Sequence, residues 1–214
     1  YYQGMDLGEI WGYEANDLFL TNQEVDEYLR GVDMSFFKPN TDWQRGDLKY
    51  IDSNGDGKID PGSGTLKDHG DLKIIGNTTP RYSFGLNLHA GYKGFEVSAL
   101  FQGVMKRDFP MAASTYLFSG DSNFFKEHLD YYNVYNPGAY LPRLTKPDSP
   151  EYNANVGYNT SRYLLNAAYM RLKNLMISYN FQPKLVKKMG LENLKVYFTC
   201  DNLFTIDNLP DVFD

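Results

Sequence analysis

The sequence predicts an all-β fold: antiparallel strands making up part of a large transmembrane β-barrel, with long extracellular loops and two short helices. Three observations carry that expectation. Four stretches alternate apolar and polar residues with period two, as strands do when one face is greasy and the other wet. Their connections are short on one side and long on the other, the outer-membrane arrangement in which long loops face outward. Aromatics make up 16% of the chain, with 18 Tyr and 14 Phe, yet the mean hydropathy is -0.50. Rings in polar surroundings suit strands and interfaces.

The totals exclude several classes. With 214 residues the chain has room for one large domain or two small ones. A formal charge of -6, from 21 basic and 27 acidic residues, argues against a nucleic-acid surface. Cys200 is the one cysteine, so there is neither an internal disulfide nor a thiolate zinc site. His69, His89 and His128 are scattered and offer no ligand cluster. No apolar run approaches the length of a spanning helix, which a β-barrel would not need. The chain starts without Met or a signal sequence and is expected to be cut from a longer one.

The elements follow in order. Residues 1–81 are expected as an extracellular loop region, rich at its start in Tyr1, Tyr2, Trp11, Tyr13 and Phe19. Thr21-Asn22-Gln23-Glu24 is a capping box opening a short helix through Arg30, with Gly31 as its stop. Residues 82–103 form a barrel hairpin. Tyr82, Phe84, Leu86, Leu88 and Ala90 share one face, Tyr92-Lys93-Gly94 turns, and Phe95, Val97, Ala99 and Phe101 return. Ten residues at about 3.3 Å each, tilted as barrel strands are, cover the apolar band of an outer membrane. Residues 104–168, with Pro110, Pro137, Pro142, Pro147 and Pro150, lose the pattern and are expected as a second long extracellular loop. Residues 169–214 return to strands. Leu175, Ile177, Tyr179 and Phe181 share one face, while Met170 and Leu172 upstream carry the opposite phase, which suggests a bulge or the strand leaving the apolar zone. Pro183 to Met189 is a short helix with Pro near its start and Gly190 after it. Leu194, Val196, Phe198 and Cys200 line the last strand.

The stretch 46–80 carries the clearest chemistry. Asp52, Asn54, Asp56, the carbonyl of Lys58, and Asp60 place oxygens at alternate positions, as a Ca²⁺ loop requires. Gly57 stands where such a loop turns sharply and Ile59 where it anchors to a core. Position twelve is Ser63, which gives no bidentate pair, so the EF-hand pattern fails at its last ligand; Asp68 or Asp71 is the replacement. The expected role of Ca²⁺ is structural. The plainer reading is a polar surface turn, because Asn-Gly and Asp-Gly turn without any metal.

Several motifs together resemble one family. Gly-Asp-x-Lys-Tyr-x-Asp-x-Asn-Gly-Asp-Gly-x-Ile-Asp over 46–60, Asp-x-x-Ile-Ile-Gly-Asn-x-x-Pro-Arg-Tyr-x-Phe-Gly over 71–85, Tyr169-Met170-Arg171-Leu172-Lys173-Asn174-Leu175 and Asp201-Asn202-Leu203-Phe204-Thr205 resemble the SusC/RagA family of TonB-dependent outer-membrane transporters. The resemblance implies a C-terminal section of a plugged barrel of about 22 strands in the outer membrane of a Gram-negative, Bacteroidetes-type bacterium. It implies nutrient uptake of oligosaccharides or peptides, as in polysaccharide utilisation, with a SusD-like lipoprotein lid. TonB would act through an upstream part of the protein, and outer-membrane lipid would cover the apolar faces. A second class is a secreted, calcium-stabilised, β-rich carbohydrate-binding domain, in which tyrosines between Phe118 and Tyr163 stack on sugar; Tyr131, Tyr132 and Tyr135 are the candidate substrate contacts. No catalytic arrangement is legible, and the chain is not expected to be an enzyme.

Overall fold

The computed structural model describes residues 3–15, 17–37, 42–111, 125–146 and 149–210. The chain divides into two compact units, Tyr1–Thr79 with Asp108–Leu165, and Pro80–Arg107 with Asn166–Asp214. The two long connections expected as separate loops therefore form one body.

Short strands frame that first unit. β1 (Glu9–Gly12) pairs antiparallel with β4 (Lys73–Asn77), and β2 (Asp17–Leu18) with β3 (Leu48–Lys49). α1 (Asn22–Leu29) starts where the capping residues predict. The Thr21 hydroxyl accepts from the Glu24 N–H at 3.1 Å, and the Glu24 carboxylate reaches back one residue further than expected, to the Leu20 N–H at 2.9 Å. Aromatic rings fill the centre. Tyr13, Phe37 and Tyr50 are buried, with Phe37 and Tyr50 centroids 4.2 Å apart and Tyr13 edge-on to Tyr50 at 5.6 Å. Tyr158 and Trp43 pack against this cluster, and Ile59 is fully buried in it, as its place in the acidic loop predicts. A further helix, α2 (Pro150–Val156), lies within the segment expected as loop. Its Ser149 cap accepts from the Tyr152 N–H at 3.1 Å, and Pro150 sits at the helix start. Ser-Pro-Glu is itself a helix-start signature, hidden here among four other prolines.

The second unit is one antiparallel sheet. It contains β5 (Arg81–Tyr92), β6 (Phe95–Lys106), β9 (Tyr169–Asn180) and β10 (Lys195–Asp207), in the order β10-β9-β6-β5. β7 (Asp108–Pro110) and β8 (Leu164–Asn166) pair with each other at the passage between units. α3 (Pro183–Lys188) links β9 to β10.

Directly paired residues share a face, so the register assigns the faces. Leu86, Phe101, Leu172 and Phe204 form one row across the four strands. Leu88, Ala99, Leu175 and Cys200 form the next, then Ala90, Val97, Ile177 and Phe198, then Tyr92, Phe95, Tyr179 and Val196. The phase flip read upstream of Leu175 is a bulge. Leu100 pairs with Asn174 but Phe101 with Leu172, so Lys173 is an extra residue in β9. β10 answers with its own extra residue between Asp201 and Phe204, where Asn202 takes a left-handed φ of 50°. One inserted residue rotates the alternation by half a turn. Without Lys173, the apolar row through Phe101 would break.

The opposite face is polar and cross-linked. Arg171 Nε donates to Thr205 Oγ1 at 3.0 Å, Asn174 Nδ2 to Asp201 Oδ1 at 2.8 Å, and Lys195 Nζ lies 2.8 Å from Glu96 Oε2. Apart from Leu172, which is buried, the apolar face is largely open. Leu86 keeps 48% of its surface exposed, Val97 39% and Phe198 62%. A soluble sandwich would bury these side chains against a second sheet. β5 and β10 also each carry one edge with no strand beside it among the described residues.

If that face meets hydrocarbon, Leu86→Arg lowers stability in detergent by about 2–4 kcal/mol near the midplane, whereas Asn87→Arg on the polar face costs much less. Equal unfolding midpoints for the two variants would show that the faces are not distinguished by lipid.

Candidate functional site

The candidate metal-ligating and substrate-binding residues all lie in the first unit, and a buried carboxylate fixes their frame. Asp47 has no exposed surface. Its Oδ1 accepts from Arg143 Nε at 2.7 Å and Asn155 Nδ2 at 2.8 Å; its Oδ2 accepts from the Gln44 N–H at 2.8 Å and the second Arg143 nitrogen at 3.1 Å. Burial pushes the Asp47 carboxyl up, against the pull of the Arg143 guanidinium and the amide donors. Asn155 also accepts from the Leu48 N–H at 2.7 Å, and the Arg143 N–H donates to the Gly46 carbonyl at 2.8 Å. Gly46 has a left-handed φ of 89°, and a Cβ there would sit 2.3 Å from the Tyr132 ring. The Gly-Asp that opens the 46–60 motif is thus a packing constraint followed by a salt bridge. Sequence reading missed Arg143 and Asn155, because nothing local marks them.

The acidic loop follows β3. Asp52 accepts from the N–H groups of Gly55 at 2.6 Å and Gly57 at 2.8 Å, one on each oxygen. Asn54 Oδ1 accepts from the Asp56 N–H at 2.9 Å, Asp56 Oδ1 from the Lys58 N–H at 2.9 Å, and Asp60 Oδ1 from the Gly62 N–H at 2.7 Å. Gly55 and Gly57 take φ of 77° and 81°, which side chains resist. Asp71 is buried and ties the two ends together, accepting from the Ser53 N–H at 2.7 Å and the Asp60 N–H at 2.9 Å. Burial pushes its carboxyl up, and the charge of Asp52 adds to the push. Asp68 accepts instead from the Ser63 N–H at 3.1 Å. Among the described residues, no group of three or more acids, histidines or cysteines is gathered closely enough to hold a metal ion. The carboxylates serve backbone amides of their own loop.

The three candidate tyrosines separate. Tyr132 is buried, and its hydroxyl donates to the Leu20 carbonyl at 3.1 Å. Tyr131 packs against the aromatic core. Tyr135 is 95% exposed at the tip of a turn closed between Asn133 and Asn136. Phe118 lies outside the described residues. His89 lies exposed on the polar face of β5, and His128 is buried with Nδ1 accepting from the Phe125 N–H at 3.1 Å.

No family model matches the chain. It is 27% identical over 210 residues to TonB-dependent receptor P3 of Formosa agariphila, covering 97% of this chain and 18% of the receptor. TonB-dependent receptor P26 of the same organism is 28% identical over 160 residues, covering 74% of this chain and 15% of that protein. The structure of the RagAB peptide transporter matches 94% of this chain and 19% of the transporter chain, with a TM-score of 0.54 and 18% identity. The chain spans less than a fifth of the length of these relatives. The motif resemblance to TonB-dependent transporters and the fold class, antiparallel strands from part of a barrel, are both met by these findings.

Breaking the buried pair with Asp47→Ala leaves Arg143 without its carboxylate and removes four acceptor contacts. The expected cost is about 3–5 kcal/mol, read as early loss of the aromatic near-UV signal on heating. A shift within error of the wild type would remove Asp47 from this role.

Proposed function

We propose that this chain is a strand-and-loop section of a TonB-dependent importer in the outer membrane of a Gram-negative bacterium. In this reading the importer carries oligosaccharides or peptides, a SusD-like lipoprotein covers it, and TonB acts through another part of the protein. The observation that carries the reading is the open apolar face. Its rows run unbroken across all four strands and are kept in phase by two bulges, in a chain similar along nearly its whole length to TonB-dependent receptors. The chain has a transporter's role rather than an enzyme's, and of the three candidate tyrosines Tyr135 is the one left available for substrate by its exposure. A secreted binding domain has one point in its favour, the self-contained aromatic core of the first unit. The exposed sheet face weighs against it, because a soluble protein rarely leaves so much contiguous apolar surface open.

The test is genetic and biochemical. In-frame removal of the encoding gene is expected to abolish growth on one class of peptide or polysaccharide, and the full-length protein is expected in the outer-membrane fraction with a lipoprotein co-purifying. Recovery from the soluble fraction, with unchanged growth on every source, overturns the proposal.

Calcium in the acidic loop is a separate proposal. Each carboxylate oxygen that accepts one N–H keeps a second lone pair, and the donors are the hard oxygens Ca²⁺ prefers. Chelation is then expected to speed amide exchange over residues 52–60 and leave the strands protected. Identical exchange with and without chelator, and no heat on Ca²⁺ titration, reduce the loop to an amide-capped turn.

A further inference from the structure

A cleft of about 470 Å³ opens beside β1 and β4, within the first unit. Its apolar lining includes Ile10, Leu72 and Pro110, and Trp11 supplies an aromatic wall. Its polar lining is one-sided. Trp11 Nε1 donates to Glu9 Oε2 at 3.1 Å, the Asn159 amide donates to the Trp11 carbonyl at 3.3 Å, and the Thr78 hydroxyl donates to the Gly8 carbonyl at 3.3 Å. The indole N–H and the Thr78 hydroxyl are spent inside the protein, while the Asn159 amide group has a second N–H. What Glu9, Asn159 and Thr78 offer a visitor is therefore mainly oxygen acceptors, one of them on a carboxylate. No basic side chain lines the cleft among the described residues.

A volume of this size suits a small ligand or a side chain with an apolar body and a few polar points. A lining richer in acceptors than in donors favours a ligand that donates hydrogen bonds. The Glu9 carboxylate sits at the N–H edge of the Trp11 indole, and its negative charge favours a cation over a neutral sugar, which could use the ring but not the charge. We propose that the Glu9–Trp11 cleft binds a protonated amine or guanidinium carried on an apolar stem, as a lysine or arginine side chain of a peptide presents it. The inference deepens the import reading by naming a ligand class, and it rests on that reading for its biological use, though the binding does not depend on transport.

The test titrates full-length protein in detergent with N-acetyl-lysine amide, N-acetyl-norleucine amide and maltotriose, following heat. The lysine probe is expected to bind saturably. The norleucine probe, which keeps the stem and loses the charge, and maltotriose are expected to bind about tenfold more weakly or worse. Glu9→Gln keeps an acceptor for the Trp11 indole but removes the charge, and should weaken the lysine probe by a similar factor. Equal binding of lysine and norleucine probes, tighter binding of maltotriose, absence of saturable lysine binding, or an isotherm unchanged by Glu9→Gln would each overturn the proposal. If Glu9→Gln does not fold, the comparison of probes on the wild type still decides. None of these results depends on location or growth, so failure here and failure of the import reading are told apart.

Discussion

Asp47 gives up water completely, and a carboxylate does that only when other groups replace its hydration. Arg143, Asn155 and the Gln44 amide do so, and each comes from a different stretch of the chain. One side chain therefore draws the 44–50 strand region, the segment after Pro142 and helix α2 to a common point. The aromatic cluster of Tyr13, Phe37, Tyr50 and Tyr158 then closes around a frame that this ion pair has set. The Tyr50 hydroxyl donating to the Ala154 carbonyl is a second strut along the same line. A group of rings alone packs in many ways; a satisfied buried charge admits far fewer.

The sheet obeys a different constraint, in which every row across four strands must keep its side. Lys173 and the Asn202 region each insert one residue at the same level, so the rows on either side stay aligned. Two of the sequence motifs lie on these irregularities. Arg171 to Thr205 and Asn174 to Asp201 are the hydrogen bonds that flank them. The residues of those motifs are thus explained by local geometry as much as by any cargo.

The strands were legible because period-two alternation is a local signal. It located the hairpin to within three residues and exposed the bulge as a change of phase at Leu172. The capping residues of α1 were legible for the same reason. The union of the two long connections was not. Its main bond joins residues 96 apart in sequence, and neither Asp47 nor Arg143 differs in its neighbourhood from many surface charges. The acidic loop reads in sequence both as a cation loop and as a polar turn, because side-chain direction decides whether oxygens converge, and spacing does not encode it. The same limit applies to the tyrosines: Tyr132 and Tyr135 look alike in sequence, and only the contact with Gly46 distinguishes the buried ring from the displayed one.

The first unit is interrupted by a hairpin belonging to the second. When the chain is made from its N-terminal side, Asp47 exists long before Arg143 and Asn155 do. Until then its charge is hydrated and the rings of Tyr13, Phe37 and Tyr50 lack the partners that α2 brings. Closure of this core is a late event that must wait for β5 and β6 to be synthesised, and the high sequence separation of its contacts makes it slow. Until then the early half must stay open without letting its aromatics associate with the wrong neighbour.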